Sequence, residues 1–356
     1  MQRTGSLAGG IAATAGAGRV GFWAGFRDAL GLRRRLLGVT QVEVTSICPN
    51  LCGYCPRTVL GRHWKSRHMQ PDTFARLLPL VRESVRVHLQ GWGEPLEHPD
   101  FLAMVALARE AGCSVSTTTS GRRMTRDLAG ALVDSGLDVI AFSLAGATSA
   151  TNDSLRAGIP FERVLESIRL LQEVRRARGG VHLEIHIAYL LLAGRLGDVG
   201  LLPSLMQELG VHATVVSTLD GCLVPDWRGE CFGPEEREKV HGARRELEAA
   251  AAQARSLGLD FHFSLPAAEP TGRCFEDAER SVFIDADGNM APCVHLNLST
   301  TLEDPRRRVF GSCLAEGPLA VWRSDPFASF RSALATPEPD PACRDCLKRY
   351  ALGSER

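Results

Sequence analysis

The chain has 356 residues, 41 basic and 41 acidic side chains, and 44% hydrophobic residues. This near-average composition argues against disorder and fibrous repeats, and the length is ample for a buried core. Zero formal charge removes the basic excess that nucleic-acid and membrane-surface binding draw on. No apolar run approaches the roughly 18 residues of a membrane span.

Residues 1–36 read as a tail. Gly5–Gly18 is of low complexity, and Phe22, Trp23, Phe26 and Leu30 then space as one face of a short helix ending in Arg33, Arg34 and Arg35. There is no continuous apolar stretch of the kind a secretory signal needs, so the protein is expected in the cytoplasm. An odd eleven cysteines in such a chain favour metal or redox use over a disulfide framework.

From residue 37 to 265, short β-branched runs (Gln41–Ser46, Val85–Gln90, Ser114–Thr118, Asp138–Leu144, Val181–Leu190, Ala213–Thr218) alternate with helical patterns such as Phe161/Val164/Leu165/Ile168/Leu171. Six strand–helix repeats imply a parallel sheet with right-handed crossovers, hence an α/β fold. Eight repeats would close a barrel; six suggest a partial (β/α)6 barrel, ended by a helix over Pro234–Leu257. Residues 266–356 form a small C-terminal cysteine-rich domain. It is too short to bury a good core alone, so a metal staple is expected there.

Directly after the first strand stand Cys48, Cys52 and Cys55. A structural zinc site normally takes four ligands. Three thiolates on one loop suit three irons of a cubane cluster, with the fourth iron open.

This Cx3Cx2C loop resembles the signature of the radical S-adenosylmethionine (SAM) superfamily, with Tyr54 as the aromatic before the last cysteine. The resemblance continues in order along residues 38–220. Gly93-Glu94-Pro95 is similar to the superfamily's GGEP motif, with Trp92 in place of its first glycine. Thr118-Thr119-Ser120-Gly121 is similar to TTNG, and Ser143-Leu144-Ala145-Gly146 to SLDG. The resemblance implies cluster ligation by Cys48, Cys52 and Cys55. It also implies SAM contacts from Tyr54, Gly93, Glu94, Pro95, Thr119, Ser120, Ser143 and the carboxylate-binding Arg156.

The second constellation is Cys274, Gly288, Cys293, Cys343 and Cys346. By spacing alone, four thiolates suit a closed zinc site as well as a cluster. Beside a radical SAM-like region, the pattern resembles the SPASM/Twitch extension in its shortened form. That implies one auxiliary 4Fe–4S cluster with every ligand position filled by Cys274, Cys293, Cys343 and Cys346. Cys113 and Cys313 read as packed hydrophobes. Cys222 and Cys231 flank Trp227 on a loop where barrels of this kind contact substrate.

Strand alternation turns Glu43 and Thr45, Arg86, His88 and Gln90, and His182, Glu184 and His186 toward the lumen. His88, Glu184 and His186 are the candidate substrate contacts, and the polar lining points to a hydroxylated, amino or peptidic substrate.

The resemblance implies reductive cleavage of SAM to a 5′-deoxyadenosyl radical, hydrogen abstraction from substrate, and an electron donor of flavodoxin or ferredoxin type. The auxiliary cluster, with no open iron, would accept the substrate's second electron. Only about 40 residues precede the first strand, fewer than a leader-binding domain needs. The favoured expectation is therefore two-electron dehydrogenation of a small aminocyclitol-like molecule, with a peptide maturase as the alternative. A non-enzymatic electron carrier would need no SAM-binding motifs.

Overall fold

A computed structural model describes residues 35–219 and 225–353, without the side chains of residues 225 and 226. The tail helix over residues 22–30 and Cys222 lie outside the described residues.

The first strand pairs along its whole length, so the architecture grows from it. Strand β1 (Leu37–Val42) is followed across the sheet by β2 (Ser84–Leu89), β3 (Ser114–Thr119), β4 (Val139–Leu144), β5 (Glu184–Leu191), β6 (Ala213–Thr218) and β7 (Asp260–Pro266). Each is parallel to the one before it. The six expected repeats are present, and β7 extends them as a further parallel strand after the long helix. Strand β1 starts and ends four residues earlier than its β-branched run suggested. Its N-terminal half, including Gly38, is recruited by pairing on both sides, which outweighs glycine's poor strand propensity.

Helices α1 (Pro71–Val81), α2 (Phe101–Glu110), α3 (Arg126–Asp134), α4 (Phe161–Ala177), α5 (Leu202–Leu209) and α6 (Arg237–Ser256) lie between the strands in sequence. Their starts carry local reasons. Pro71 opens α1 with a fixed φ, and Thr125 accepts the Leu128 N–H at 3.2 Å to cap α3. Helix α4 buries Phe161, Val164, Leu165, Ile168 and Leu171, its periodic stripe, in the same core that holds Ile185 and Ile187 of the sheet.

The C-terminal region does not stand apart from this sheet. Strand β8 (Ser281–Ile284) pairs parallel to β1, and β9 (Asn289–Ala291) and β10 (Gly311–Ser312) continue outward from it as antiparallel strands. Strand β11 (Ala351–Gly353) pairs antiparallel to β7 at the opposite edge. One eleven-stranded sheet results. Helices α7 (Pro318–Arg323) and α8 (Asp325–Leu334) put Val321, Trp322 and Phe327 into the main core. The region's own cluster is small: Ala278, Leu296, Phe330, Leu334 and Cys343, with Cys274 and Cys293 packed against it. The short core anticipated for residues 266–356 is thus supplemented by sharing that of the barrel.

Candidate active site

Parallel strands end on one side of the sheet, and the loops that follow them meet there. Between these loops lies a cavity of about 340 Å3.

The Cys48–Cys55 loop forms one wall. Its middle is strapped down by a two-residue ribbon, Leu51–Cys52 pairing antiparallel with Arg156–Ala157, and Gly53 N–H donates to the Leu155 carbonyl at 3.1 Å. Cys48, Cys52 and Cys55 all line the cavity. Burial pushes the Cys48 thiol up to about 12 and raises that of Cys55. Thiols held this way ionise only when a cation compensates the charge, which is what cluster iron supplies. Tyr54 is braced by Arg156, whose Nη1 donates to its hydroxyl at 2.9 Å, and by Trp227, edge-on at 6.4 Å.

Strand β2 feeds the next loop. An added Cβ on Gly93 would overlap the Thr45 carbonyl oxygen, so only glycine lets this loop pass under the cysteine loop. Glu94 N–H then donates to the Ile47 carbonyl at 2.8 Å. The Glu94 carboxylate accepts from the Thr119 hydroxyl at 2.6 Å and the Ser120 N–H at 2.7 Å. The Gly-Glu-Pro and Thr-Thr-Ser-Gly stretches are therefore one hydrogen-bonded unit. At the end of β4, Ser143 faces the cavity, while Asn152 Oδ1 accepts the Ala145 N–H at 3.1 Å and fixes the turn through Gly146.

Of the residues named from sequence, Cys48, Cys52, Tyr54, Cys55, His88, Gly93, Glu94, Thr119, Ser120, Ser143 and Arg156 line this one cavity. Pro95 is buried behind it, where it opens a helical turn. Glu184 and His186 do not line it. They bond to each other at 3.0 Å beneath its floor, where His186 is 3% exposed. Their inward parity was right, but two residues of strand span about 7 Å, and the cavity opens at the level of Ala188 and Leu190. Glu43 and Thr45 also miss it, because β1 ends at Val42. The lumen residue of that strand is Gln41.

His88 is neutral. Burial pushes it down to about 4, while its ring nitrogens meet Ser116 at 2.9 Å and Gln90 at 3.1 Å. The remaining cysteines sort as packing: Cys113 donates to the Val81 carbonyl at 2.8 Å, and Cys313 lies against Gly288. Cys231 is buried outside the cavity lining.

The far wall comes from the C-terminal region and was not anticipated. Glu276, Val294, His295 and Lys348 all line the cavity. Trp92, in the position of the family's first glycine, reaches across to them. Its Nε1 donates to the Val294 carbonyl at 3.2 Å, and its ring meets His295 edge-on at 5.9 Å. Behind this wall sit Cys274, Cys293, Cys343 and Cys346. Burial raises the thiols of Cys274 and Cys343 to about 12 and that of Cys293 well above its usual value, with Cys346 adding to each as a neighbouring negative charge. Cys274, Cys293 and Cys343 pack in or against one small apolar cluster. Gly288 makes the left-handed turn (φ 83°) between β8 and β9 that returns the chain toward Cys293.

Residues 42–187 match the model of the radical SAM superfamily. That stretch is a radical SAM domain. Residues 274–347 match the iron–sulfur cluster-binding SPASM domain. This radical SAM protein uses SAM and 4Fe–4S clusters, one at the SAM site and an auxiliary one. A cofactor-modifying protein for tungsten-containing aldehyde ferredoxin oxidoreductase from Pyrococcus furiosus is 24% identical over 330 residues, 87% of each chain. The PqqA peptide cyclase of Gluconobacter oxydans is 25% identical over 319 residues, covering 86% of this chain and 82% of its own. Streptococcus suis SuiB, crystallised with its precursor peptide SuiA, superposes with a TM-score of 0.65 at 15% identity. That alignment covers 91% of this chain and 73% of SuiB.

The residues present fit these groups. Three thiols share a cavity with Asn50 Oδ1, Thr118 Oγ1 and Arg156 Nε, buried polar atoms that have no hydrogen-bond partner among the described residues. Of the four C-terminal thiols, Cys274, Cys293 and Cys343 pack together in apolar surroundings. No helix among the described residues is long and apolar enough to cross a membrane.

Proposed function

We propose that this radical SAM enzyme modifies a peptide at an unactivated C–H bond. The observation that carries this is a single cavity bounded on one side by the Cys48–Cys55 loop and on the other by the loops of the C-terminal cysteines. Bound SAM and its cluster supply the one-electron chemistry that removes the hydrogen atom.

In this reading Cys48, Cys52 and Cys55 ligate the SAM-site cluster and leave one iron for SAM. Glu94, already oriented by Thr119 and Ser120, keeps acceptor capacity for the SAM ammonium group. Arg156, Asn50 and Thr118 offer their unpartnered atoms to its carboxylate and ribose. Tyr54 and Trp227 shield the adenine side from water. Cys274, Cys293, Cys343 and Cys346 hold the auxiliary cluster, which takes the second electron of a two-electron oxidation. His88 contacts substrate through its cavity face, whereas Glu184 and His186 support the floor. Residues 37–265 and 266–356 act as catalytic and auxiliary-cluster units sharing one sheet.

Peptide modification displaces the small aminocyclitol-like substrate expected from the sequence. The Gluconobacter relative, similar over most of both chains, is a peptide cyclase. A second reading, modification of a small cofactor, rests on the description of the Pyrococcus relative. Oxygen-sensitive clusters favour a reducing compartment such as the cytoplasm, and the one-electron chemistry calls for a flavodoxin- or ferredoxin-type donor.

The test is anaerobic reconstitution with SAM and dithionite, then assay of 5′-deoxyadenosine with peptides encoded beside the gene. Stimulated 5′-deoxyadenosine with a peptide mass change supports the reading. SAM cleavage that responds only to small molecules would replace the substrate, and absence of cleavage would defeat the enzyme assignment.

A further inference from the structure

Three of the four C-terminal cysteines are followed, two residues later, by a polar side chain that lines the cavity: Cys274 by Glu276, Cys293 by His295, and Cys346 by Lys348. Cys274 and Cys293 pack in the small C-terminal cluster, while the residues two places on line the substrate space. Main-chain bonds hold two of these stretches together. Phe275 N–H donates to the Lys348 carbonyl at 2.9 Å, and Asp277 N–H to the Cys274 carbonyl at 2.9 Å. Across the joint, Lys348 Nζ meets Glu276 Oε1 at 2.9 Å and lies 5.6 Å from the Phe275 ring centre. The side chains are 8% and 23% exposed, so solvent screens their field poorly.

We propose that Glu276 and Lys348 set the reduction potential of the auxiliary cluster from the substrate side, the carboxylate lowering it and the ammonium raising it. The proposal rests on Cys274, Cys293, Cys343 and Cys346 being its ligands. Local charge and solvent exposure are main determinants of such potentials. An electron added to the cluster is repelled by Glu276 and attracted by Lys348, and both groups stand two residues from a ligand. On the outer side of the site, Arg308 and Asp340 form another ion pair at 2.8 Å beside Cys343. That pair faces away from the cavity lining. Glu276 and Lys348, by contrast, line the cavity, so charge brought by substrate would act on the same field.

The experiment is a mediated dithionite titration of the reconstituted full chain, followed by electron paramagnetic resonance. Added SAM perturbs the signal of the first cluster and so distinguishes it from the auxiliary one. Lys348→Met should shift the auxiliary potential downward and Glu276→Gln upward. Lys348→Arg should stay near wild type, and the double variant should fall between the two single ones, with the SAM-responsive signal unmoved throughout. Iron content checks folding. If Lys348→Met loses auxiliary iron, Glu276→Gln, in which the amide oxygen still accepts from Lys348, decides the matter. An unchanged potential in fully loaded Glu276→Gln, or shifts of the same sign in both single variants, overturns the proposal. Lack of 5′-deoxyadenosine formation would defeat the proposed activity and leave this measurement standing.

Discussion

Glu43 shows how little a single residue's parity reveals. It stands beyond the end of β1 under Gly91, accepting the Trp92 N–H at 2.9 Å and the Ser299 hydroxyl at 3.2 Å. Burial pushes its carboxyl from 4.5 up to about 7. The folded state therefore prefers the protonated form. Below pH 4.5 both folded and unfolded chains are protonated there and nothing is lost. As pH rises toward 7 the unfolded chain ionises first, and stability falls by about 3 kcal/mol from this group. Glu43→Gln, whose amide can serve the same two partners, should abolish that part of the decline, as read by urea unfolding at pH 5 and pH 8. An unaltered pH dependence would show that Glu43 is ionised in the fold. Gly93→Ala makes the complementary case. Its Cβ must displace the Thr45 carbonyl, so stability should drop by about 1–3 kcal/mol and SAM affinity should fall with the displaced Glu94 loop. Calorimetry and equilibrium dialysis would check these two effects. Glycine at position 93 was legible as part of a motif; the collision that requires it was not.

The cysteine loops are elements in their own right, and the two groups of thiols lie on opposite walls. Replacing Cys48, Cys52 and Cys55 by Ala should leave about four of about eight irons per chain, abolish SAM cleavage, and preserve the fold of the C-terminal wall. Iron and sulfide analysis with a melting curve measures this. Loss of all iron would mean that the auxiliary site cannot form alone. The order of motifs along the chain was readable because each follows a strand at the same end of the sheet. Strand and helix types were readable from period, while β1 shifted by four residues because pairing with β2 and β8 outweighed its β-branched run. Glu184 and His186 were assigned the correct face and the wrong depth, since alternation reports the side of a sheet and says nothing of where a cavity ends.

At the scale of the whole molecule, residues 266–356 close both edges of the parallel sheet, β8 on β1 and β11 on β7. Parallel sheets are stable with their faces and edges covered. A chain ended at residue 266 should therefore expose both edges and associate or precipitate, even with the first three cysteines intact. Size-exclusion chromatography and light scattering would reveal this, and a soluble monomer with a cooperative melt would show that the barrel is self-sufficient.

By itself the sequence determined the α/β class, the order of repeats, the two cysteine groups and the motif residues that meet in the cavity. These depend on local spacing: a period of two or near four, thiols a few residues apart, a turn that only glycine makes. The tertiary structure alone decided which loops face one another. Glu276, His295 and Lys348 lie far along the chain from Cys48 and Tyr54, and no local pattern places them across one cavity. That juxtaposition arises because β8 adds to β1 and β11 to β7, a pairing chosen by edge hydrogen bonds and shared core. Interactions of that kind are set by the folded sheet as a whole, and so lie beyond anything a stretch of sequence carries.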